Sequence, residues 1–594
     1  MKNIFIATLK NEIGKDIILQ GWMHNLRILG KIAFLFLRDG SGIVQLVIED
    51  KSLIDKIKDC QIGSILEVSG KVKEAKTNLG VEIVASNIEI LNKITEISNL
   101  DISKKDLNAN LDTILDNRSI SLRQEKHRAI FTLQSVILEV FREFLRKENF
   151  HEFVSPVLMG APSESGADVF EVKYFNHKAY LAQSPQIYKQ IMVGVFERVF
   201  TISKVFRAEK HNTSRHIMEI TQMDAEMGFI DDYFDVMNVA EGFVKFLIDK
   251  LGQGNKYKAI FDLFEVDIPT ISSKIPIIKV KEALKLIEKR TGKSAKREEL
   301  DVDPDDEKEV SKWAKEKFNS DFVWLINFKK DKNFYTYNDR KYPDESLSYD
   351  LLFRGLEVLS GTHRIENYDL LIRRMKKQGL NLDNYEQYLL AFKYGMPKHG
   401  GFSFGLERLT QKFLGLSNIR YATLFPSDLK RLASSRIKMH IVTGKDKIFD
   451  KIIQILTERN IRYDLIEHSE AIGVKDSEIL GQKPEGVVKS LILKGKKSSR
   501  NILLVLRGDH RIDFKLLKKK FKEDFTFEDP MVIKTKWGLD IGEIPPFGNI
   551  LGLDTFFDKT ILKEEKILFT IADKSKSVRI NPKDLIEVLD ANLI

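Results

Sequence analysis

The 594-residue chain has a single cysteine, Cys60. One thiol excludes a disulfide scaffold and a thiolate zinc cluster, and it suits a reducing compartment. No apolar run reaches the ~20 residues that a membrane helix needs. The opening Met1-Lys2-Asn3-Ile4-Phe5 lacks the charged-then-apolar layout of a secretion signal. A cytoplasmic protein without membrane attachment is therefore expected. Internal repeats and low-complexity tails are also missing. So is a large excess of one charge: 95 basic against 86 acidic residues leave +9, which permits a nucleic-acid partner without demonstrating one.

What is present is enough chain for about three or four domains. Residues 1–95 read as short β-rich runs: 17–22, 32–37, 43–48, 65–72 and 81–91. The turn signal Asp39-Gly40-Ser41-Gly42 falls between the second and third. Five strands in this length suit an OB barrel, a fold that often binds single-stranded nucleic acid. Residues 96–125 are polar and aperiodic, a hinge or linker. Apolar residues then recur at helical spacing: Ile130, Leu133, Ile137, Val140, Phe141, Phe144 and Leu145. Residues 126–434 form the largest unit, with a charged, helix-rich insertion near 270–320. Residues 439–594 form a last unit that mixes amphipathic helices with strands. The whole is an α+β multidomain protein.

The most telling stretch is Phe206-Arg207-Ala208-Glu209-Lys210-His211-Asn212-Thr213-Ser214-Arg215-His216, flanked by Val199–Ile202 and Met223–Ile230. It reads as two strands joined by a charged loop. Arg207 at a strand end, with Arg215 and His216 in the loop, gathers cations as a polyphosphate would require.

This run resembles motif 2 of the class II aminoacyl-tRNA synthetases, in the wording of the archaeal-type aspartyl enzymes. Upstream, Phe150-His151-Glu152-Phe153-Val154-Ser155-Pro156 resembles their dimer-forming motif 1. Downstream, Phe402-Ser403-Phe404-Gly405-Leu406-Glu407-Arg408 resembles motif 3. A lone Gly-Leu-Glu-Arg is most often a helix start, but the three strings in order are specific. The resemblance implies a homodimer that uses ATP and Mg2+ to form an aminoacyl-adenylate and then loads tRNA. It gives Arg207 to the α-phosphate, Glu209 to the ATP end of the site, and Arg215 and His216 to the pyrophosphate end. Gly405 would let backbone approach adenine, and Arg408 would meet the γ-phosphate. Asp350 and Glu357 would hold the metal; seven residues apart, they need a bulge or bend between them to share one face.

The amino acid implied is L-aspartate. Gln183-Ser184-Pro185-Gln186 followed by Lys189 is a signature of the aspartate enzymes, and Arg364 supplies a second cation for the side-chain carboxylate. Asparagine would leave both cations buried without a counter-charge, at a cost of roughly several kcal/mol. Glu164 and Gln186 are implied contacts to the same substrate. Ser165, Thr362 and His363 depart from the usual wording, and His363 is read as a structural histidine.

Gly21-Trp22-Met23-His24, Phe34 and Gln45 resemble the anticodon-binding OB domain, with Phe34 stacking on a base and Gln45 reading its edge. His24 stands where strict enzymes tend to carry Trp, and Asn78 replaces a lysine of the strict type. The expected partners are tRNA(Asp) and also tRNA(Asn). Residues 439–594 resemble the YbaK-like aminoacyl-tRNA deacylases, which implies an editing pocket at His468, Lys489, Gly542, Pro546 and Gly548. The open alternatives are a tRNA-gripping module in place of the deacylase, an asparagine synthetase paralogue, and a non-catalytic tRNA-binding protein. The N-terminal barrel opposes the second, and the intact set Lys189, Arg207, Arg364 and Arg408 opposes the third.

Overall fold

The computed structural model describes residues 4–96, 100–162, 169–208, 213–254, 257–271, 273–292, 300–329, 333–429, 431–432, 435–436, 444–459, 461–470, 483–498, 500–589 and 591–594. The chain forms two compact units, Met1–Arg436 and Ile437–Ile594. No helix among the described residues is long and apolar enough to cross a membrane.

The first unit opens with a closed five-stranded barrel: β1 (Asp16–Leu29), β2 (Ile32–Arg38), β3 (Ile43–Ile48), β4 (Ile65–Glu74) and β5 (Val81–Asn92). Alternation sets its core: Ala33, Leu35 and Leu37 of β2 point inward while Phe34 and Phe36 are only half-buried. Gly21 and Gly70 fit because a Cβ at either would overlap a facing backbone carbonyl. The 96–125 segment is more than a linker. It carries helices at Leu111–Asp116 and Arg118–Ser121, and the buried Arg118 guanidinium donates to the carbonyls of Tyr421, Thr423 and Leu424.

The centre of this unit is an eight-stranded sheet. Its strands are β6 (His151–Glu152), β7 (Arg198–Phe206), β8 (Glu219–Gly228), β9 (Ile277–Lys279), β10 (Phe322–Ile326), β11 (Ser348–Phe353), β12 (Glu357–His363) and β13 (His399–Gly405). The spatial order is β9-β10-β11-β12-β13-β8-β7-β6. All neighbours run antiparallel except the two edge pairs, β6 with β7 and β9 with β10. One face is covered by α1 (Glu125–Lys147) and α2 (Tyr233–Gly252), whose Phe141 and Phe243 pack edge-to-face at 5.0 Å. The charged insertion is a helix pair, α3 (Val280–Thr291) and α4 (Pro304–Phe318), between β9 and β10. A capping box of Asp303 and Asp306 starts α4.

The second unit has a five-stranded sheet built on β14 (Val488–Gly495), β15 (Asn501–Arg507) and β16 (Asp554–Phe557), plus a three-stranded sheet. Helix Lys445–Glu458 buries Ile448, Ile452 and Leu456 at helical spacing against Val488, Leu503 and Trp537.

Candidate active site

A cavity of about 360 Å³ opens on the large sheet, lined by residues from β8, β11, β12 and β13 and from the loop between β7 and β8. On its wall stand Arg207, Arg215, His216, Asp350, Glu357, Gly405 and Arg408, drawn from segments up to two hundred positions apart in the chain. Arg207 directly follows β7, and its N–H donates to the carbonyl of Met218 across the hairpin (2.9 Å). His216 Nδ1 meets Thr213 Oγ1 at 2.7 Å. Arg408 lies in the first turn of α5 (Leu406–Phe413); its Nη1 donates to the Glu357 carbonyl at 3.2 Å and pairs with the Glu357 carboxylate at 3.3 Å. The neighbouring Glu407 faces inward. It accepts the Thr221 N–H on both oxygens (3.1 and 3.0 Å), so it ties α5 to β8.

Asp350 and Glu357 reach one cavity because the chain reverses between them. Arg354 (φ 47°) and Gly355 (φ 79°) form the turn from β11 to β12, and the register slips by a bulge at Leu351/Leu352. No group of three or more acidic, histidine or cysteine ligands occurs among the described residues. Two carboxylates facing a cavity fit Mg2+, which binds through one or two acidic groups and completes its shell with phosphate and water oxygens.

Beside this wall, Lys189, Asp224, Glu226 and Arg364 form a buried cluster. Lys189 Nζ lies 2.8 Å from Asp224 Oδ1 and 3.3 Å from Glu226 Oε2. Arg364 donates to Glu226 through Nε (2.7 Å) and Nη2 (3.1 Å), and through Nη1 to Thr362 Oγ1 (2.7 Å). Burial works to raise the Glu226 carboxyl, but Arg364 and Lys189 outweigh it and hold it below the ordinary value. Burial pushes the Asp224 carboxyl up, against the pull of Lys189.

This corrects one expectation. Asparagine would not leave the two cations without a counter-charge, because Asp224 and Glu226 already pair with them. The sequence carried a signal for the missed acids: Met223-Asp224-Ala225-Glu226-Met227 sets two carboxylates on one face of an otherwise apolar five-residue run.

Gln186 lines the cavity and donates to Gln190 Oε1 (2.8 Å), whose amide in turn meets His399 Nε2 (2.8 Å). Thr362 lines the cavity itself and accepts from Arg364 Nη1. His363 is buried beside the Tyr337 ring and away from the cavity wall, and burial lowers its pKa to about 4, so it is neutral. Glu164, Ser165 and Glu209 lie outside the described residues.

On the barrel, His24 is the extra residue of a bulge in β1, between the pairs Met23–Leu37 and Asn25–Phe36. Partial burial lowers its pKa. Phe34 and Gln45 lie half-buried on one outer face with Phe36, over which Arg27 stands 5.5 Å from the ring centre; Gln45 donates to Glu82 at 3.0 Å. Asn78 is exposed in the turn between β4 and β5.

In the second unit Lys489, on β14, donates to the carbonyls of Gly508 (3.1 Å) and His510. His468 Nε2 meets Ser577 Oγ at 2.9 Å. Gly542 has φ 91°, which favours glycine. Pro546 is buried, and Gly548 packs where a Cβ would overlap Thr555 and the Leu553 carbonyl.

Comparison with known proteins covers most of the chain. The family "tRNA synthetases class II (D, K and N)" matches residues 110–429, "OB-fold nucleic acid binding domain" matches 17–91, and "Aminoacyl-tRNA editing domain" matches 468–588. The chain is 39% identical to an aspartate–tRNA(Asp/Asn) ligase of Thermus thermophilus over 436 residues, 72% of this chain and 99% of the relative. An aspartate–tRNA(Asp) ligase of Thermoplasma volcanium is 37% identical over 73% of this chain and 100% of its own length. Among solved structures, asparaginyl-tRNA synthetase from Pyrococcus horikoshii with asparaginyl-adenylate superposes with a TM-score of 0.65 at 30% identity, covering 71% of this chain and 97% of that one.

Proposed function

Because the chain belongs to the class II tRNA synthetases of the D, K and N group, we propose that it activates L-aspartate with ATP and transfers it to tRNA(Asp) and tRNA(Asn). An aspartate oxygen attacks the α-phosphorus, the bond to pyrophosphate breaks, and the tRNA terminal hydroxyl then takes the aspartyl group and releases AMP. Arg207 draws charge from the α-phosphate. Arg215, His216 and Arg408 receive the leaving pyrophosphate. Asp350 and Glu357 would hold Mg2+, which neutralises phosphate oxygens when bound. Asp224 suits the substrate ammonium, and Lys189 with Arg364 suits its side-chain carboxylate. Glu164 and Gln186 bind the same amino acid.

The observation that carries this reading is the shared cavity: the cation-and-carboxylate wall opens beside the Lys189–Asp224–Glu226–Arg364 cluster. Since an asparaginyl enzyme has the same fold, the choice of aspartate rests on that cluster. Aspartate-dependent ATP–pyrophosphate exchange is the test; exchange with asparagine but not aspartate would overturn it.

Dual tRNA use is supported by His24 at the β1 bulge, where a strict enzyme tends to carry a larger indole, and by the exposed Asn78. Phe34 and Gln45 read the anticodon from the barrel's outer face. Equal amounts of tRNA(Asp) and tRNA(Asn) transcripts should both accept aspartate, and failure of the second would restrict the enzyme to tRNA(Asp). A homodimer is supported by apolar side chains left exposed on adjoining segments near β6: Val154 (94% exposed), Val195, Phe196 and Phe229. The chain works in the cytoplasm.

The second unit hydrolyses mischarged tRNA. Lys489, with two N–H bonds fixed on carbonyls, aims its charge at the terminal phosphate, and the Gly542–Gly548 segment shapes the pocket with His468. In the full-length protein, Lys489→Ala should abolish deacylation across a panel of mischarged tRNAs and leave aspartylation unchanged. Persistent deacylation would remove Lys489 from that role.

A further inference from the structure

The insertion helix α4 sets a carboxylate behind the residues that line the nucleotide side of the cavity. Glu307, in the first turn of α4, is 6% exposed. Its two oxygens accept from Arg215 Nη2 at 2.9 and 3.0 Å, and one also accepts the Glu357 N–H at 3.3 Å. One turn later Ser311 Oγ accepts the Gly355 N–H at 3.0 Å. A single helix therefore grips both arms of the phosphate wall: the β7–β8 loop through Arg215, and the turn that starts β12 through Gly355 and Glu357.

The geometry points to Glu307 as a positioning residue for ATP, acting through Arg215 and Glu357. A long cation on a loop loses much rotamer freedom when it clasps a phosphate. Glu307 removes that freedom beforehand. It engages one terminal nitrogen, Nη2; Nε is buried without a hydrogen-bond partner among the described residues, and the side chain lines the cavity. Glu307 itself is not on the cavity wall. Its burial is tolerable because Arg215 sits against it; burial raises its carboxyl and the Arg215 charge opposes that.

This inference rests on the ligase reading, and the experiment separates the two. Wild-type full-length protein without aspartate-dependent ATP–pyrophosphate exchange would sink the ligase reading itself. Given exchange, Glu307→Ala should raise the KM for ATP roughly tenfold or more, the worth of a hydrogen bond to a charged group. The KM for aspartate should stay within about twofold, since no charge of the amino-acid cluster is touched. Glu307→Gln, close in shape, should recover part of the loss and serves as the readout if the alanine variant does not fold. Arg215→Ala combined with Glu307→Ala should lose less than the product of the two single losses. An unchanged or lowered KM for ATP in Glu307→Gln and Glu307→Ala, a parallel rise in the KM for aspartate, or fully multiplicative losses in the double variant would each overturn the assignment.

Discussion

Replacing Glu226 by glutamine tests the charge balance of the buried cluster. Glu226 is 0% exposed and faces Arg364 and Lys189, themselves 3% and 2% exposed. At an effective dielectric of about 20, one ion pair at ~4 Å is worth ~4 kcal/mol. Glu226 has two such partners, against which stand its own desolvation and its repulsion by Asp224. Arg364 cannot shed its proton, so the variant keeps two cations on one anion. Removing one partner from a buried pair costs about 3–5 kcal/mol; the glutamine oxygen can still accept one guanidinium N–H, which favours the lower half of that range. For a unit of 436 residues that unfolds with roughly 2.1 cal/mol/K per residue, this is a drop of about 4 °C in Tm. Scanning calorimetry of the full-length protein reads it in the transition of the first unit, and aspartate-dependent exchange should weaken in the same variant because Arg364 loses its bidentate anchor. A Tm within about 1 °C of wild type, with an unchanged KM for aspartate, would refute the idea that Glu226 balances the site.

Two further perturbations follow from the same packing. Gly401→Ala places a Cβ into the Glu226 carboxylate and the Ala225 carbonyl; it should destabilise the first unit by about 2–3 kcal/mol and abolish aspartate activation, whereas Gly40→Ala, with nothing within 4 Å, should change stability by less than about 0.5 kcal/mol. His127, His363 and His399 are all held near pKa 4, mainly by burial. Their folded values lie below the unfolded 6.5, so the unfolded chain binds more protons; the first unit should be fully stable above pH 6.5 and lose up to roughly 3 kcal/mol per histidine as pH falls toward 4. Urea midpoints measured from pH 7.5 to 5 check this, and a flat profile would contradict the neutral, buried state of all three.

The order of the motifs and the five β-runs of residues 17–91 made the family and the barrel legible in the linear chain. Strand alternation around Phe34 and the helical spacing from Ile130 to Leu145 mark buried faces through local periodicity alone. Local signals also told that a bulge or bend must intervene between Asp350 and Glu357; that the chain reverses there, through Arg354 and Gly355, came only with the fold. They could not tell that residues 111–121 would coil into helices pinned by Arg118, since that anchor lies some three hundred positions away.

Sequence by itself determined which side chains are proposed to carry the chemistry: Arg207, Lys189, Arg364 and Arg408 stand in recognisable strings, because those strings are short and phosphate and carboxylate call for such residue types. Only the tertiary structure decided what balances them. Asp224, Glu226 and Glu307 meet their cations across 35 to 138 positions of chain, and a counter-charge at that separation leaves no local pattern; it exists only once the sheet and the insertion helix have brought the segments together.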